Sequence, residues 1–234
     1  GLEMCIRDSY MGKAPIIAID GPAGSGKSAV AALVADRLRF ACLDTGQMYR
    51  AVALKALRAG LGFSNPEALA ILAEKTEFVL QPREGQWVLL VDGEDLTTFL
   101  SQPEVDQGSS LVAVVPGVRS ALVRAQRRMA EAGGIVVAGR DIQTVVFPEA
   151  QVKVFLAASP AVRASRRALQ RGMQVEEQQL QQIAAEIERR DQRDATRTNA
   201  PLKAAEDAVV IDTDPLTAEQ VADKIIALVR ARSG

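Results

Sequence analysis

Short apolar runs rich in β-branched residues alternate with segments of helical period along most of the chain. Five of these runs are predicted strands: residues 15–20, 40–43, 135–138, 152–156 and 208–211. Continuous apolar runs, without polar alternation, are typical of strands that are buried on both faces of a parallel sheet. The pattern therefore predicts an α/β fold with a five-stranded parallel sheet flanked by helices.

The segments between these runs carry the predicted helices, at 28–39, 48–59, 117–132, 161–171, 175–193 and 218–232. The glutamine-rich segment 175–193 is one of them, because Leu180, Ile183 and Ile187 recur at helical spacing. Such spacing is typical of an amphipathic helix rather than of a low-complexity tail.

Residues 61–108 follow a different pattern. A short helix is predicted to begin at Pro66, and two strand-like runs, 77–81 and 86–92, are separated by a turn. This spacing predicts an antiparallel hairpin, and hence a small insertion in a main domain that covers 13–234. Residues 1–12 show no periodicity and are expected to be a leader outside the fold.

Composition excludes several classes of function. The chain has 234 residues, of which 48% are hydrophobic, and a net charge of -1, so we expect a globular domain without general affinity for nucleic acid or membranes. No apolar run approaches the roughly 18 residues of a membrane span. The absence of histidine excludes a Ser-His-Asp triad and a histidine zinc site. Two cysteines and no secretory leader suit a reducing cytoplasm. Because no partner-binding stripe is evident, we expect a monomer.

Arginine is in excess over lysine, 21 to 7, and 13 of the arginines lie between Arg119 and Arg197. A guanidinium group can contact two phosphate oxygens at once, whereas an ammonium group is a point charge. The excess is consistent with a phosphate-handling half of the chain, or with codon bias alone.

A glycine-rich segment follows the first predicted strand and opens the first predicted helix. It reads Gly21, Pro22, Ala23, Gly24, Ser25, Gly26, Lys27 and Ser28, which fits the pattern G-x-x-x-x-G-K-[ST]. In that context the backbone N–H groups surround phosphates, Lys27 reaches the outer phosphates, and the Ser28 hydroxyl can bind Mg²⁺, partly through water. The segment predicts a P-loop NTPase fold that binds ATP and Mg²⁺.

Polar clusters follow two other predicted strands. The segment from Asp44 to Arg50 follows the second strand, and Arg140 with Asp141 follows the third. Because ligands of α/β sheets bind at the carboxyl ends of strands, both clusters are candidate ligand sites. Each also has a purely structural interpretation: Thr45 as the N-cap of the next helix, and an Arg140–Asp141 salt bridge.

Two basic helical segments have the same ambiguity. Arg190, Asp194 and Arg197 share one helical face, and Arg163, Arg166, Arg167 and Arg171 form a basic run. Ion pairs on a solvated helix would produce the same patterns.

Taken in order, the motifs are the glycine-rich segment, Asp-Thr-Gly at 44–46, Val-Ala-x-x-Pro-x-Val-Arg at 112–119, Gly-Arg-Asp-Ile at 139–142, Arg-x-x-x-Asp-x-x-Arg at 190–197 and Pro-Leu at 201–202. This series closely resembles the bacterial cytidylate kinase family of nucleoside monophosphate kinases, over about residues 13–230. The resemblance implies phosphate transfer from ATP to CMP or dCMP with Mg²⁺. It also implies that 61–108 is a nucleoside monophosphate-binding region and that about 163–190 is an arginine-rich lid.

The resemblance further implies roles for individual residues. Arg50 and Arg140 would hold the acceptor phosphate. Ser110, Arg119 and Asp141 would surround the cytosine, and Arg190, Asp194 and Arg197 would lie near the sugar. Thr45 and Tyr49 would complete the CMP site, and the catalytic residues would be Lys27, Arg140, Arg163 and Arg167.

The sequence departs from the family pattern at Cys42, where tyrosine is common, at Gln47, where a small residue is usual, and at Gln143, where glycine is usual. Gln143 is expected to add bulk and polarity beside the nucleotide crevice. That would weaken the fit of the substrate and leave the type of reaction unchanged.

Two other classes of function share parts of this pattern. A kinase for UMP or shikimate would have the same glycine-rich segment and lid, but not the base-contacting residues Ser110, Arg119 and Asp141. A GTP-dependent switch would need Asn-Lys-x-Asp to read guanine, and the sequence has no such tetrapeptide.

Overall fold

The computed structural model describes residues 13–170, 172–173, 176–196 and 200–233. The predicted leader 1–12 and Arg197 lie outside the described residues. The chain forms two compact units, which we call the sheet unit (13–42 and 134–233) and the helical unit (43–133). The predicted insertion 61–108 falls within the helical unit.

The strands are β1 (Ile16–Asp20), β2 (Ala41–Asp44), β3 (Phe78–Arg83), β4 (Gln86–Val91), β5 (Glu94–Asp95), β6 (Ile135–Gly139), β7 (Val152–Ala157) and β8 (Val209–Asp212). The α-helices are α1 (Lys27–Leu38), α2 (Thr45–Arg58), α3 (Pro66–Lys75), α4 (Pro103–Val112), α5 (Pro116–Met129), α6 (Pro160–Gln170), α7 (Glu177–Ala195) and α8 (Ala218–Ser233). Among the described helices, none combines the length and the apolar character that a membrane crossing requires.

The five-stranded sheet has the order β2-β6-β1-β7-β8, and β1 pairs in parallel with both β6 and β7. All five predicted strands are confirmed, and their apolar residues form a core with α1 and α8 that includes Ile17, Val136, Val34 and Ile225. The register aligns Asp20 with Gly139 of β6 and Phe155 of β7. Consequently the glycine-rich segment and Gly139-Arg140-Asp141 leave the sheet side by side.

The segment that follows β6 was not predicted. Residues Ile142–Val146 form one turn of π-helix, in which Phe147 N donates to Ile142 O at 2.6 Å and Val146 N donates to Asp141 O at 3.2 Å. A turn with this wider repeat is frequent at functional sites. Because one such turn is too short to show the α-helical period of 3.6 residues, the sequence pattern did not predict it.

Helices α6 and α7 have an apolar contact of their own. Ala164 and Ala168 of α6 pack against Ile183 and Ile187 of α7, and Ala23 of the glycine-rich segment packs against this cluster. Both predicted helices are thus confirmed, and their contact places them beside the first βα turn.

The helical unit contains the predicted antiparallel hairpin, to which β5 adds a third strand in the order β3-β4-β5. Glu84 and Gly85 join β3 to β4 with φ of 50° and 81°, the pair of left-handed residues that a two-residue type I′ turn requires. Pro82 is tolerated because β3 is an edge strand. The sheet packs on α2 and α4 through a core that includes Leu54, Val91 and Val105.

Candidate functional site

The glycine-rich loop joins β1 to α1 in the arrangement that its sequence predicts. Gly24 and Gly26 adopt left-handed backbone conformations, with φ of 75° and 90°. Gly26 is the N-cap of α1 and, as a glycine, offers no side chain to cap its first turn. The N–H groups at the positive end of a helix attract anions such as phosphate.

Two glycines are required because the loop lies tightly between neighbouring elements. A Cβ atom on Gly21 would lie 2.4 Å from the Leu156 carbonyl oxygen of β7, and one on Gly24 would lie 2.9 Å from the Arg163 carbonyl oxygen of α6. Both distances are shorter than a carbon–oxygen contact allows. The loop can therefore approach β7 and α6 only without side chains at these positions.

Lys27 folds back over the loop from the first turn of α1. Its Nζ donates to the Pro22 carbonyl oxygen at 2.7 Å and to Ser25 Oγ at 3.4 Å. Ser28, the next residue, is exposed. An ammonium group and an exposed serine therefore lie at the first turn of α1.

Two arginines and two aspartates meet at this loop, and we call Arg140, Arg163, Asp191 and Asp194 the arginine–aspartate cluster. Asp191 Oδ1 accepts from Arg140 Nη1 at 3.2 Å and from Ala23 N at 3.1 Å, and Asp191 Oδ2 accepts from Arg163 Nη1. Arg140 Nη1 also lies 3.3 Å from Asp194 Oδ2. Three of the predicted site residues, Arg140, Arg163 and Asp194, are thus brought together beside the glycine-rich loop, which we also call the phosphate loop.

The burial of Arg163 contradicts the solvated-helix interpretation of that residue, since only 8% of its side chain is exposed. Asp194 is buried as well, with 3% of its side chain exposed. Arg167 and Arg190 are half-buried. Asp191, the residue that connects the cluster, was not predicted. It lies three residues before Asp194, and this i,i+3 spacing was the signal for it.

Asp20, which ends β1, is a second residue that sequence reasoning missed. Its side chain is completely buried and accepts from Ile142 N at 3.0 Å and from Gln143 N at 2.9 Å, which fixes the turn that follows Arg140 and Asp141. Burial raises the pKa of Asp20 from 3.8 to about 6, with a smaller contribution from the negative charge of Asp141, and the two N–H donors oppose the shift. An acidic residue at the end of an apolar strand was the available signal.

The raised pKa of Asp20 predicts a pH dependence of stability. Between about pH 4 and pH 6 the folded chain retains a proton that the unfolded chain has released, so ionisation of Asp20 lowers the free energy of unfolding as the pH rises. Relative to Asp20→Asn, the wild type should lose about 3 kcal/mol of stability across this range and then level off. Urea unfolding of both proteins at several pH values measures this. A wild type that becomes more stable relative to Asp20→Asn as the pH rises from 4 to 6 would contradict the assignment.

Gln143 occupies a different place from the one expected of it. Its side chain is buried, its Nε2 donates to the Val154 carbonyl oxygen at 3.3 Å, and its Oε1 accepts from Ala205 N at 3.1 Å. The expectation that it adds polarity to a nucleotide crevice is therefore wrong. The amide connects β7 to the segment before β8, and its polar atoms are used within the fold.

A cavity of about 240 Å³ borders the glycine-rich loop and the start of α1. Its lining includes Gly24, Ala29, Arg166, Leu169, Thr213 and Leu216. Arg166 forms one wall, because its Nη1 donates to Thr213 Oγ1 at 2.8 Å and its Nη2 donates to the Thr213 carbonyl oxygen at 2.7 Å. Leu169, Thr213 and Leu216 were not predicted from the sequence, because they lie in no motif and contribute shape and surface rather than a charge pattern.

In the helical unit, Asp44 rather than Thr45 is the N-cap of α2, since Gly46 N donates to Asp44 Oδ1 at 2.9 Å. The interpretation of Thr45 as the cap is therefore wrong, and Thr45 is buried. Arg50, one turn into the helix, has its Nη2 3.6 Å from Asp44 Oδ2. Asp44 thus both begins the helix and holds the guanidinium of Arg50 near the end of β2.

Arg119 and Ser110 are buried in the same unit, with 7% and 6% exposed. The guanidinium carbon of Arg119 lies 5.8 Å from the centre of the Tyr49 ring, and its Nη1 donates to the Ala113 carbonyl oxygen at 3.4 Å. A cation over an aromatic ring gains electrostatic attraction, which helps to hold a buried charge. The structure therefore brings Tyr49 and Arg119, both predicted site residues, into contact.

Comparisons with known proteins agree with this geometry. The family model for cytidylate kinase matches residues 17–231. A cytidylate kinase of Pelotomaculum thermopropionicum is 47% identical over 94% of this chain and 98% of that protein. A bifunctional pantoate ligase/cytidylate kinase of a Synechococcus species is also 47% identical, but the chain spans only 41% of its length. A crystal structure of an uncharacterized Eubacterium ventriosum protein, at 13% identity and a TM-score of 0.52, supports the fold alone.

Proposed function

The chain belongs to the cytidylate kinase family, and on that premise we propose that it transfers the γ-phosphate of ATP to CMP or dCMP. The observation that carries the proposal is the position of Arg140 and Arg163, which one carboxylate holds beside the backbone of the phosphate loop. Two guanidinium groups and Lys27 at one helix N-terminus suit the equatorial oxygens of a phosphoryl group in transfer.

The reaction needs positioning and positive charge more than a general base. The second pKa of a phosphate monoester is about 6, so the attacking oxygen of the monophosphate is already ionised at neutral pH. A chain without histidine can therefore perform this transfer. Its arginines and Lys27 would stabilise the charge that develops on the transferred group.

We place the donor nucleotide on the glycine-rich loop. Its phosphates would lie against the loop N–H groups, with Arg163 and Arg167 over them, and its adenine would occupy the cavity beside Arg166. A hard oxygen donor set suits Mg²⁺, and the exposed Ser28 hydroxyl on the first turn of α1 offers one such oxygen. Bound there, the ion would neutralise phosphate charge, and most of its other ligands would be phosphate oxygens and water.

We assign the acceptor to residues of each unit. In the helical unit these are Thr45, Tyr49, Arg50, Ser110 and Arg119, and in the sheet unit they are Arg140, Asp141, Arg190 and Asp194. The assignment follows the family resemblance, and the burial of Ser110, Arg119, Asp141 and Asp194 supports it, because buried polar side chains suit the recognition of a base and a sugar. The cytoplasmic location and the monomeric state stay predictions from the sequence.

One assay tests this function. ADP release is coupled to a detectable reaction with ATP as donor and with CMP, dCMP, UMP, AMP or shikimate as acceptor. We expect CMP or dCMP to give the highest kcat/KM. Turnover that is fastest with shikimate or AMP would contradict the proposed function.

Arg50→Lys and Arg140→Lys test the acceptor phosphate site. Each substitution keeps the positive charge but removes the planar fork, so neither should be mild. We expect the KM for CMP to rise about tenfold, the equivalent of one lost charge-assisted hydrogen bond, while the KM for ATP changes little. Arg124→Lys is the matched control, because Arg124 is exposed on α5. Equal increases in both KM values would show that these arginines serve folding or the lid instead.

A further inference from the structure

We propose that Asp191 is a positioning residue of the phosphoryl-transfer site, which holds Arg140 and Arg163 in their working positions against the phosphate loop. The inference deepens the proposed function and rests on it. Asp191 would act through these two arginines, without contacting the nucleotides itself.

The geometry is that of one carboxylate with donors from three elements. Oδ1 accepts from Ala23 N of the phosphate loop and from Arg140 Nη1, which follows β6, and Oδ2 accepts from Arg163 Nη1 of α6. Arg163 Nη1 also donates to the Ala23 carbonyl oxygen at 3.2 Å. A single side chain thus fixes two guanidinium groups relative to each other and to the backbone that would cradle the donor phosphates.

The burial of these groups makes the contact consequential. The exposed fractions of the side chains are 8% for Arg163 and 17% for both Arg140 and Asp191. A buried guanidinium requires an opposite charge, because the cost of removing it from water is otherwise uncompensated. Arg163 Nε is also buried and has no hydrogen-bond partner among the residues that the structure describes. Asp191 therefore holds Arg163 through Nη1, and Arg163 Nε is left without a partner within the described residues.

Helix α7 gives Asp191 a firm base. Ile187 and Ile183, one and two turns before it, pack on α6 beside Ala164 and Ala168, and Ala23 packs on the same cluster. The carboxylate thus projects from a helix that is already packed against the helix of Arg163. A side chain on a rigid element can preorganise its partners, whereas a mobile one would not.

A free arginine side chain loses rotamer entropy when it is fixed in one position. If Asp191 is removed, Arg140 and Arg163 must become ordered during the reaction itself. The loss of activity should therefore appear mainly in kcat. Asp191 already accepts three hydrogen bonds and is not needed as a base, since the acceptor phosphate is ionised at neutral pH.

Asp191→Asn tests the inference, because it keeps the shape but replaces one acceptor oxygen with a donor group that faces an N–H or a guanidinium. We expect kcat with ATP and CMP to fall more than tenfold and the KM for ATP to change less than about threefold. The KM for CMP should rise by less than the roughly tenfold increase expected for Arg140→Lys, because Arg140 is still present. Asp191→Glu restores the charge and both oxygens and should recover part of kcat. The matched control is Glu188→Gln, which removes one negative charge from an exposed position of the same helix.

Other outcomes would overturn the inference. A kcat of Asp191→Asn within twofold of Glu188→Gln would show that the arginines do not need Asp191. In Asp191→Asn, a lower KM for ATP with an unchanged kcat would show that the Asp191 carboxylate competes with the ATP phosphates for the two arginines. A loss of kcat that follows the thermally unfolded fraction, and disappears on cooling, would show a purely structural role. A wild type without CMP kinase activity would instead overturn the proposed function, and this inference with it.

Discussion

Replacing Lys27 with methionine will reduce kcat at least a hundredfold and leave CMP binding largely intact. Lys27 Nζ lies over the phosphate loop, within 2.7 Å of the Pro22 carbonyl oxygen, where its charge would interact with the outer donor phosphates. An interaction that strengthens as charge shifts in the transition state affects kcat more than ground-state binding. Methionine keeps a similar unbranched length and removes the charge.

The measurement combines kcat from ADP release with the Kd of CMP from calorimetry. Lys224→Met is the control, because Lys224 is exposed on α8. If Lys27→Met retained more than about a tenth of the wild-type kcat, the assignment of the donor site to this loop would be wrong. A parallel loss of CMP affinity would place Lys27 in the acceptor site instead.

The choice of CMP over UMP will depend on Asp141. Cytosine presents an amino donor where uracil presents a carbonyl acceptor, and an ionised carboxylate accepts from the first but is repelled by the second. Asp141 is 5% exposed, and an unpaired polar contact in such a place costs about 1–3 kcal/mol. We therefore expect kcat/KM for CMP to exceed that for UMP by one to two orders of magnitude. Asp141→Ala should sharply reduce CMP turnover and narrow this ratio.

Parallel losses with both substrates would show that Asp141 only anchors its loop. Its backbone has such a role, since the Asp141 carbonyl oxygen accepts from Val145 N at 2.9 Å. Asp141→Asn separates the two roles, because its backbone is unchanged and its amide can face either base. A ratio near one in Asp141→Asn, with measurable activity on both substrates, would assign base selection to the charge of Asp141.

The sheet could be predicted because a strand that is buried on both faces is a continuous apolar run in the sequence. The apolar run at 135–138 became β6, and the hairpin turn at Glu84 and Gly85 was visible as a break between two strand-like runs. Helix α4 was missed because it contains Gly108, Ser109 and Ser110, which are weak helix formers, so tertiary packing stabilises it instead. Its buried Val105 and Val112 supply that packing.

The site was predictable only where its residues follow strands or form a contiguous motif. Lys27, Arg140 and Asp194 lie in such motifs, whereas Asp191 becomes significant only when α6 and α7 are packed together. Gln143 shows the opposite error: a polar residue beside a motif was expected to face the ligand, although its amide completes the hydrogen bonds of β7 and of Ala205. Sequence position alone does not show whether such a side chain faces a ligand or bonds within the fold, because its partners depend on the tertiary structure.

The arginine–aspartate cluster has equal numbers of positive and negative groups, and between 3% and 17% of each side chain is exposed. Dissolved ions screen exposed charges strongly and buried pairs much less. A surface pair such as Arg37 and Glu219, with 33% and 58% exposed, should therefore weaken at high ionic strength. The cluster should keep its geometry there. Salt would then slow the capture of the polyanionic nucleotides while leaving the groups that act on them in place.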